Sequence, residues 1–140
     1  MTGCNQTPTL LLVDDDEINR IAFTRALGQL NHDLGFVTAE DGLEALEYLH
    51  ERIARNNGVL PPVIVLLDVY MPRMNGAEFC NALAENPCFG DLTVYAFGTA
   101  DMPVAIRSVL DAHIDGYLTK DSPLETLTSL PQLEAYIQIP

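Results

Sequence analysis

Residues 10–16 read LLLVDDD, an apolar run that ends directly in three aspartates. Two later stretches have the same design: 63–68 reads VIVLLD, and 116–120 reads GYLTK. Short apolar runs of this kind are typical of buried strands. Because the carboxyl ends of parallel strands line one crevice, we expect the charged residues that follow these runs to lie together. Lys120, the only lysine in the chain, would face the carboxylates there.

Strand-like and helix-like segments alternate along the chain. The predicted strands span 9–13, 36–39, 63–67, 93–97 and 116–119, and segments with apolar residues at helical spacing follow them. This alternation predicts an α/β doubly wound, three-layer, flavodoxin-like fold with five parallel strands in the order 2-1-3-4-5. That order makes the first and third strands neighbours.

Two helices are predicted in more detail. The last helix should begin at Ser122, which is followed by Pro123 and Glu125 in a capping-box pattern, and Pro131 should kink or divide it. The first helix is expected to bury an apolar stripe made of Ile18, Ile21, Ala22, Ala26 and Leu30.

Whole-chain properties limit the function. At 140 residues, we expect one domain over 1–140 with a core at about 9–137, and no further output domain. No apolar stretch reaches the roughly 20 residues that cross a bilayer, so we expect a cytoplasmic protein that does not bind membranes. A net charge of −13 argues against nucleic acid as a partner. Three cysteines without tight spacing are expected to be free thiols, with Cys80 on a buried helix face.

The acidic cluster has a definite chemistry. Carboxylates a few ångströms apart repel one another, so either one of them is protonated or a cation lies between them. Mg²⁺ prefers such oxygen ligands, and an aspartate beside it can attack phosphorus. Asp14 and Asp15 are assigned to this site with Asp68 because they directly follow Val13, whereas Asp16 is expected to cap a helix. Helix capping is the competing interpretation of any one of the first three aspartates.

These residues resemble the receiver domain of two-component response regulators over about 10–137. The motifs that carry the resemblance are LVDD at 12–15, LDVYMPRMNG at 67–76 and GYLTK at 116–120. The resemblance implies that a phosphoryl group is accepted in the presence of Mg²⁺.

The resemblance also implies a role for each site residue. Asp68 would accept the phosphoryl group, Asp15 would bind Mg²⁺ directly, and Asp14 would bind it through water. Tyr70 would offer its backbone carbonyl to the metal, and Lys120 would bind the phosphoryl oxygens.

Two positions, Gly98 and Asp121, depart from the family pattern, and a third, Tyr117, has two possible interpretations. The family's switch Thr or Ser falls on Gly98, with Thr99 one place later as a substitute hydroxyl. Asp121 replaces the usual proline after Lys120. Tyr117 would be the aromatic switch residue, although plain core packing explains it equally well.

The leading hypothesis is a phosphorelay receiver. It would take a phosphoryl group from a phosphohistidine of a sensor kinase or a phosphotransfer protein and switch a face that binds a downstream protein target. It would catalyse only its own phosphorylation and dephosphorylation. The main alternative is a degenerate receiver that binds proteins without phosphorylation. An aspartate-based phosphatase is weaker, because Tyr70 stands where such enzymes carry a second aspartate.

Overall fold

The computed structural model describes residues 7–69, 74–90, 92–97, 102–119 and 122–138. The first six strands in these residues are β1 (Thr9–Val13), β2 (Asn31–His32), β3 (Gly35–Ala39), β4 (Val63–Asp68), β5 (Thr93–Phe97) and β6 (Gly116–Leu118). Five of them form the main sheet, which is parallel and has the order β3-β1-β4-β5-β6. Because β2 lies outside this sheet, the order differs from the predicted 2-1-3-4-5 only by the extra strand in the numbering. The predicted fold class is confirmed.

Five α-helices occur in the described part of the chain. They are α1 (Glu17–Gly28), α2 (Gly42–Arg55), α3 (Gly76–Ala84), α4 (Val104–Asp111) and α5 (Pro123–Ser129). Asp16 caps α1 by accepting a hydrogen bond from the backbone N–H of Ile18 at 2.9 Å, as the sequence predicts. Ser122 caps α5, and that helix stops before a short 3₁₀ turn that begins at Pro131. No helix in the described ranges has both the length and the apolar character that a bilayer span needs.

The core lies on both faces of the sheet. In β1, Leu11 and Val13 pack on one side, with α2 and α3, whereas Leu10 and Leu12 pack on the other side. All six residues of β4 are buried. Burial on both faces explains why these strands read as continuous apolar runs rather than as alternating ones.

The predicted buried stripe of α1 is partly wrong. Ile18 and Ile21 are 76% and 43% exposed, and the buried face is formed instead by Phe23, Ala26 and Leu27. These three, with the predicted Leu30 just beyond the helix, follow the i, i+3, i+4, i+7 spacing of one helix face. The sequence carries apolar residues on two sides of this helix, and the side with Phe23 and Leu27 is the one that packs against the sheet.

A second, small sheet is absent from the sequence prediction. β2 pairs in antiparallel fashion with β7 (Ile137–Gln138), so that His32 lies opposite Ile137. This pairing ties the end of the described chain to the segment that follows α1.

Candidate functional site

Three carboxylates meet at the carboxyl edge of the central strands. Val13 and Leu67 are neighbours in the parallel register of β1 and β4, so the residues that follow them lie side by side. One carboxylate oxygen from each of Asp14, Asp15 and Asp68 lies within 4.8 Å of the other two. Asp14 is fully buried and Asp68 is 8% exposed, whereas Asp15 faces solvent. The structure therefore brings together the three aspartates selected from the sequence.

Backbone hydrogen bonds hold the first aspartate in place. The N–H of Asp14 donates to the carbonyl of Ala39 at 3.0 Å and so extends the pairing of β1 with β3 by one residue. Its Oδ1 accepts from the N–H of Asp16 at 2.9 Å. The turn from β1 into α1 thus fixes this side chain at the strand end.

An arginine that the sequence reasoning missed contacts this turn. Nη1 of Arg20 donates to the carbonyl oxygen of Asp14 at 2.8 Å, and Nη2 lies 3.6 Å from Oε1 of Glu40, just after β3. A sequence signal was present, because Arg20 stands one helical turn after the cap Asp16, on the helix that starts at the cluster.

Two glycines anchor the ends of the loop that follows β4. The N–H of Gly76 donates to the carbonyl of Val69 at 2.9 Å, and the N–H of Gly42 donates to the carbonyl of Met74 at 3.3 Å. A Cβ at Gly76 would lie 3.0 Å from Cα of Val69, and one at Gly42 would lie 2.9 Å from the Met74 carbonyl oxygen. The backbones approach so closely that only glycine fits without a shift. Tyr70, which follows Val69 in the sequence, lies outside the described residues.

Four other residues singled out from the sequence also lie outside the described ranges: Gly98, Thr99, Lys120 and Asp121. Their roles stay predictions. The residue before the lysine is described, and its carbonyl is held by α5: Oγ1 of the buried Thr126 donates to the Thr119 carbonyl at 3.2 Å. Sequence reasoning did not find this contact.

Tyr117 connects β6 to α4. It is half-buried, its hydroxyl donates to Oδ1 of Asp111 at 2.5 Å, and the guanidinium carbon of Arg107 lies 4.9 Å from the ring centroid. Burial, and then the hydrogen bond to Asp111, raises the pKa of Tyr117 to about 12. The ring also packs against the core on the α2 and α3 side of the sheet. Packing and a surface contact are therefore combined in one side chain.

The donor set of the acidic cluster fits a hard divalent cation. It offers carboxylate oxygens only, two of its three residues are buried, and the exposed side of Asp15 leaves room for water. Mg²⁺ is usually bound by one or two carboxylates together with several waters. The cluster is therefore able to hold a metal ion.

Comparison with known proteins agrees with this geometry. Residues 10–131 match the family model described as the response regulator receiver domain. The chain is 36% identical over 118 residues to the response regulator MprA of Mycobacterium sp. (strain KMS), which covers 84% of this chain and 46% of MprA. It is 26% identical over 128 residues to the response regulator Rcp1 of Synechocystis sp., which covers 91% of this chain and 86% of Rcp1.

A solved structure with a similar fold is that of the phosphorylated cyanobacterial phytochrome response regulator RcpA. Its TM-score is 0.69 at 26% identity, over 87% of this chain and 86% of RcpA. The chain spans about half the length of MprA, the first of these curated relatives. From the family match over most of its length, the chain belongs to the response regulator receiver domain family.

Proposed function

We propose that this receiver accepts a phosphoryl group on Asp68 in a reaction that requires Mg²⁺. The observation that carries the proposal is the meeting of Asp14, Asp15 and Asp68 within 4.8 Å at the carboxyl edge of β1 and β4. Asp68 does not cap a helix, since it ends β4 and precedes a loop. The structure of phosphorylated RcpA, a protein of the same fold, supports this chemistry.

The proposed roles of the residues are those that the resemblance to receiver domains implies. Asp14, Asp15 and Asp68, with the backbone carbonyl of Tyr70, would hold the metal ion. Bound Mg²⁺ would supply positive charge to the phosphoryl oxygens. Lys120, a compact ammonium, would bind another of these oxygens.

The proposed transfer forms one bond and breaks another. A carboxylate oxygen of Asp68 bonds to phosphorus while the bond from phosphorus to the imidazole nitrogen of a phosphohistidine breaks. The electron pair of that bond stays on the nitrogen, so the donor leaves as histidine and Asp68 becomes an acyl phosphate. The protein's part is alignment and charge neutralisation, which phosphoryl transfer mainly requires.

The proposed partners are proteins. A sensor histidine kinase or a phosphotransfer protein would supply the phosphoryl group, and a downstream protein would bind the face formed by α4, β6 and α5. Tyr117 lies on this face and joins two of its elements, which supports a switch role beside its packing role. The net charge of −13 supports basic protein surfaces rather than nucleic acid or anionic lipid as partners. We further propose one domain over 1–140 and a cytoplasmic location.

Incubation with acetyl phosphate and Mg²⁺, followed by intact-mass spectrometry, tests the proposal. We expect the mass of one phosphoryl group on the unaltered chain, no adduct without Mg²⁺, and no adduct on Asp68→Asn. Asp33→Asn is the matched control, because Asp33 is an exposed loop carboxylate away from the cluster. An adduct that persists in Asp68→Asn would overturn the assignment of the acceptor.

The second candidate is a phosphorylation-independent binding module. Gly98 and Asp121, which depart from the family pattern, favour it. It predicts no adduct under any of these conditions while binding of a protein target is the same for the unaltered chain and Asp68→Asn.

A further inference from the structure

Arg20 lies where it contacts the backbone of the metal site rather than the carboxylates. Its side chain is only 17% exposed, and its guanidinium reaches both the Asp14 carbonyl and the Glu40 carboxylate. The bond to the carbonyl is short, at 2.8 Å, whereas the ion pair is longer and its partner Glu40 is 66% exposed. An exposed ion pair contributes little, so the carbonyl contact is the important one.

That carbonyl belongs to the peptide unit between Asp14 and Asp15. A peptide unit is planar, and it contains the Cα atoms of both residues that it links. A donor that fixes the orientation of this plane therefore restricts the directions in which both carboxylates leave the backbone. The N–H of Asp14 is held by Ala39, on the far side of the same residue. Arg20 completes the restraint on the side that faces Asp15.

We propose that Arg20 is a positioning residue that sets the Mg²⁺ affinity of the site by holding the Asp14–Asp15 peptide. The inference rests on the proposed function in so far as that function places Mg²⁺ on Asp14 and Asp15. It concerns metal affinity, however, and not the phosphoryl transfer itself.

The alternative role of Arg20 is electrostatic, and it predicts the opposite sign. A positive charge beside three carboxylates opposes the binding of a second cation, so its removal would tighten Mg²⁺ binding. Loss of the peptide anchor would weaken binding instead, as loss of partners that orient metal ligands commonly does by tenfold or more. The direction of the change in Arg20→Met distinguishes the two roles.

In the experiment, the metal-free full chain is titrated with Mg²⁺ alone, and isothermal titration calorimetry measures the Kd. We expect the Kd for Mg²⁺ to rise about tenfold in Arg20→Met. Arg20→Lys keeps the charge but loses the planar fork, so a smaller rise of severalfold is expected there. Arg25→Met is the matched control, since it removes the same charge from an exposed position of the same helix, and its Kd should change less than about twofold.

A second readout needs no metal. In amide ¹H–¹⁵N spectra of the metal-free protein, Arg20→Met should shift the resonances of 14–16, and Arg25→Met should leave them in place. Unchanged or tighter Mg²⁺ binding in folded Arg20→Met overturns the inference. If that variant does not fold, unchanged affinity in Arg20→Lys overturns it equally.

The failure of this inference differs from the failure of the proposed function. If the unaltered chain binds Mg²⁺ but forms no phosphoryl adduct, the proposed function fails, and the Mg²⁺ titrations of the Arg20 variants still decide the role of Arg20. If the unaltered chain binds no Mg²⁺, both fail.

Discussion

Asp68→Asn is expected to stabilise the metal-free protein, although Asp68 is buried and central to the site. When all three carboxylates are ionised and no cation lies between them, the variant removes one of three charges whose oxygens lie within 4.8 Å of one another. At this separation two unit charges repel by about 3.5 kcal/mol at an effective dielectric constant of about 20. The pair with the exposed Asp15 is screened by water, so its repulsion is nearer to about 1 kcal/mol.

The stability gained by relieving this repulsion is partly offset by lost polar interactions. Asp68 makes polar interactions of its own, and the loss of hydrogen bonds to a charged group costs about 1.5–3 kcal/mol. Asparagine keeps the shape and some of the acceptor capacity. The expected net change is an increase of about 2 kcal/mol in the free energy of unfolding.

Urea denaturation in the presence of a chelator, and again with excess Mg²⁺, measures the effect. Mg²⁺ at 100 times its Kd should stabilise the unaltered chain by about 2.7 kcal/mol and the variant by much less. The advantage of Asp68→Asn should therefore disappear when Mg²⁺ is added. Asp33→Asn, which removes an exposed negative charge, should stay within about 0.5 kcal/mol of the unaltered chain in both conditions. A metal-free Asp68→Asn that is less stable than the unaltered chain, at an equal denaturant slope, would refute this reasoning.

Three further predictions concern single residues. The pKa of Tyr117 is about 12 in the folded protein against an ordinary 10.0, so the stability that its neutral form contributes is complete below pH 10 and is lost as the pH rises towards 12. In an absorbance titration, Asp111→Asn should lower the pKa of Tyr117 but leave it above the ordinary value. An unchanged pKa would contradict this. Burial raises the pKa of the Cys80 thiol from 9.0 to about 11. Alkylation at neutral pH, followed by mass spectrometry of the peptides, should therefore be much slower at Cys80 than at the exposed Cys88. Equal alkylation rates would contradict this. Gly76→Ala should lower the free energy of unfolding by about 1 kcal/mol, because crowding of the new Cβ against the backbone outweighs the gain in helix propensity. Urea denaturation measures this change, and a variant more stable than the unaltered chain would contradict the prediction.

The strands of the main sheet were predictable from their sequences, whereas the two-residue strands β2 and β7 were not. Residues 10–13 of β1 and 63–67 of β4 form short, continuous apolar runs that are buried on both faces, so periodicity is not needed to find them. The face of α1 was not predictable in the same way. Ile18 and Phe23 are both large and apolar, yet only Phe23 is buried, at 1% exposure. The rotation of a helix against the sheet is decided by how side chains pack, which a pattern of apolar positions does not encode.

The same division applies to the site. The acidic cluster follows from strand order and parallel register, which are properties of the backbone. The contact of Arg20 with the Asp14 carbonyl depends instead on a side-chain rotamer and on the position of α1. The hydrogen bond from Thr126 to the Thr119 carbonyl also depends on a side-chain rotamer. A threonine in a helix can instead donate to a carbonyl of its own helix, as Thr128 does to Leu124.

The attachments around the cluster differ between its two sides. On one side, Asp14 is tied to Ala39 and Arg20 through backbone atoms, and the loop after β4 is tied at both ends through glycines. On the other side, α4 begins without a side-chain cap, buries only Leu110 fully, and meets β6 through the exposed Asp111. Segments with few buried contacts and exposed hydrogen bonds open most easily. If Asp68 is phosphorylated as proposed, we therefore expect the backbone near α1 to keep its arrangement and α4 to move, with the hydrogen bond between Tyr117 and Asp111 as the first contact to change.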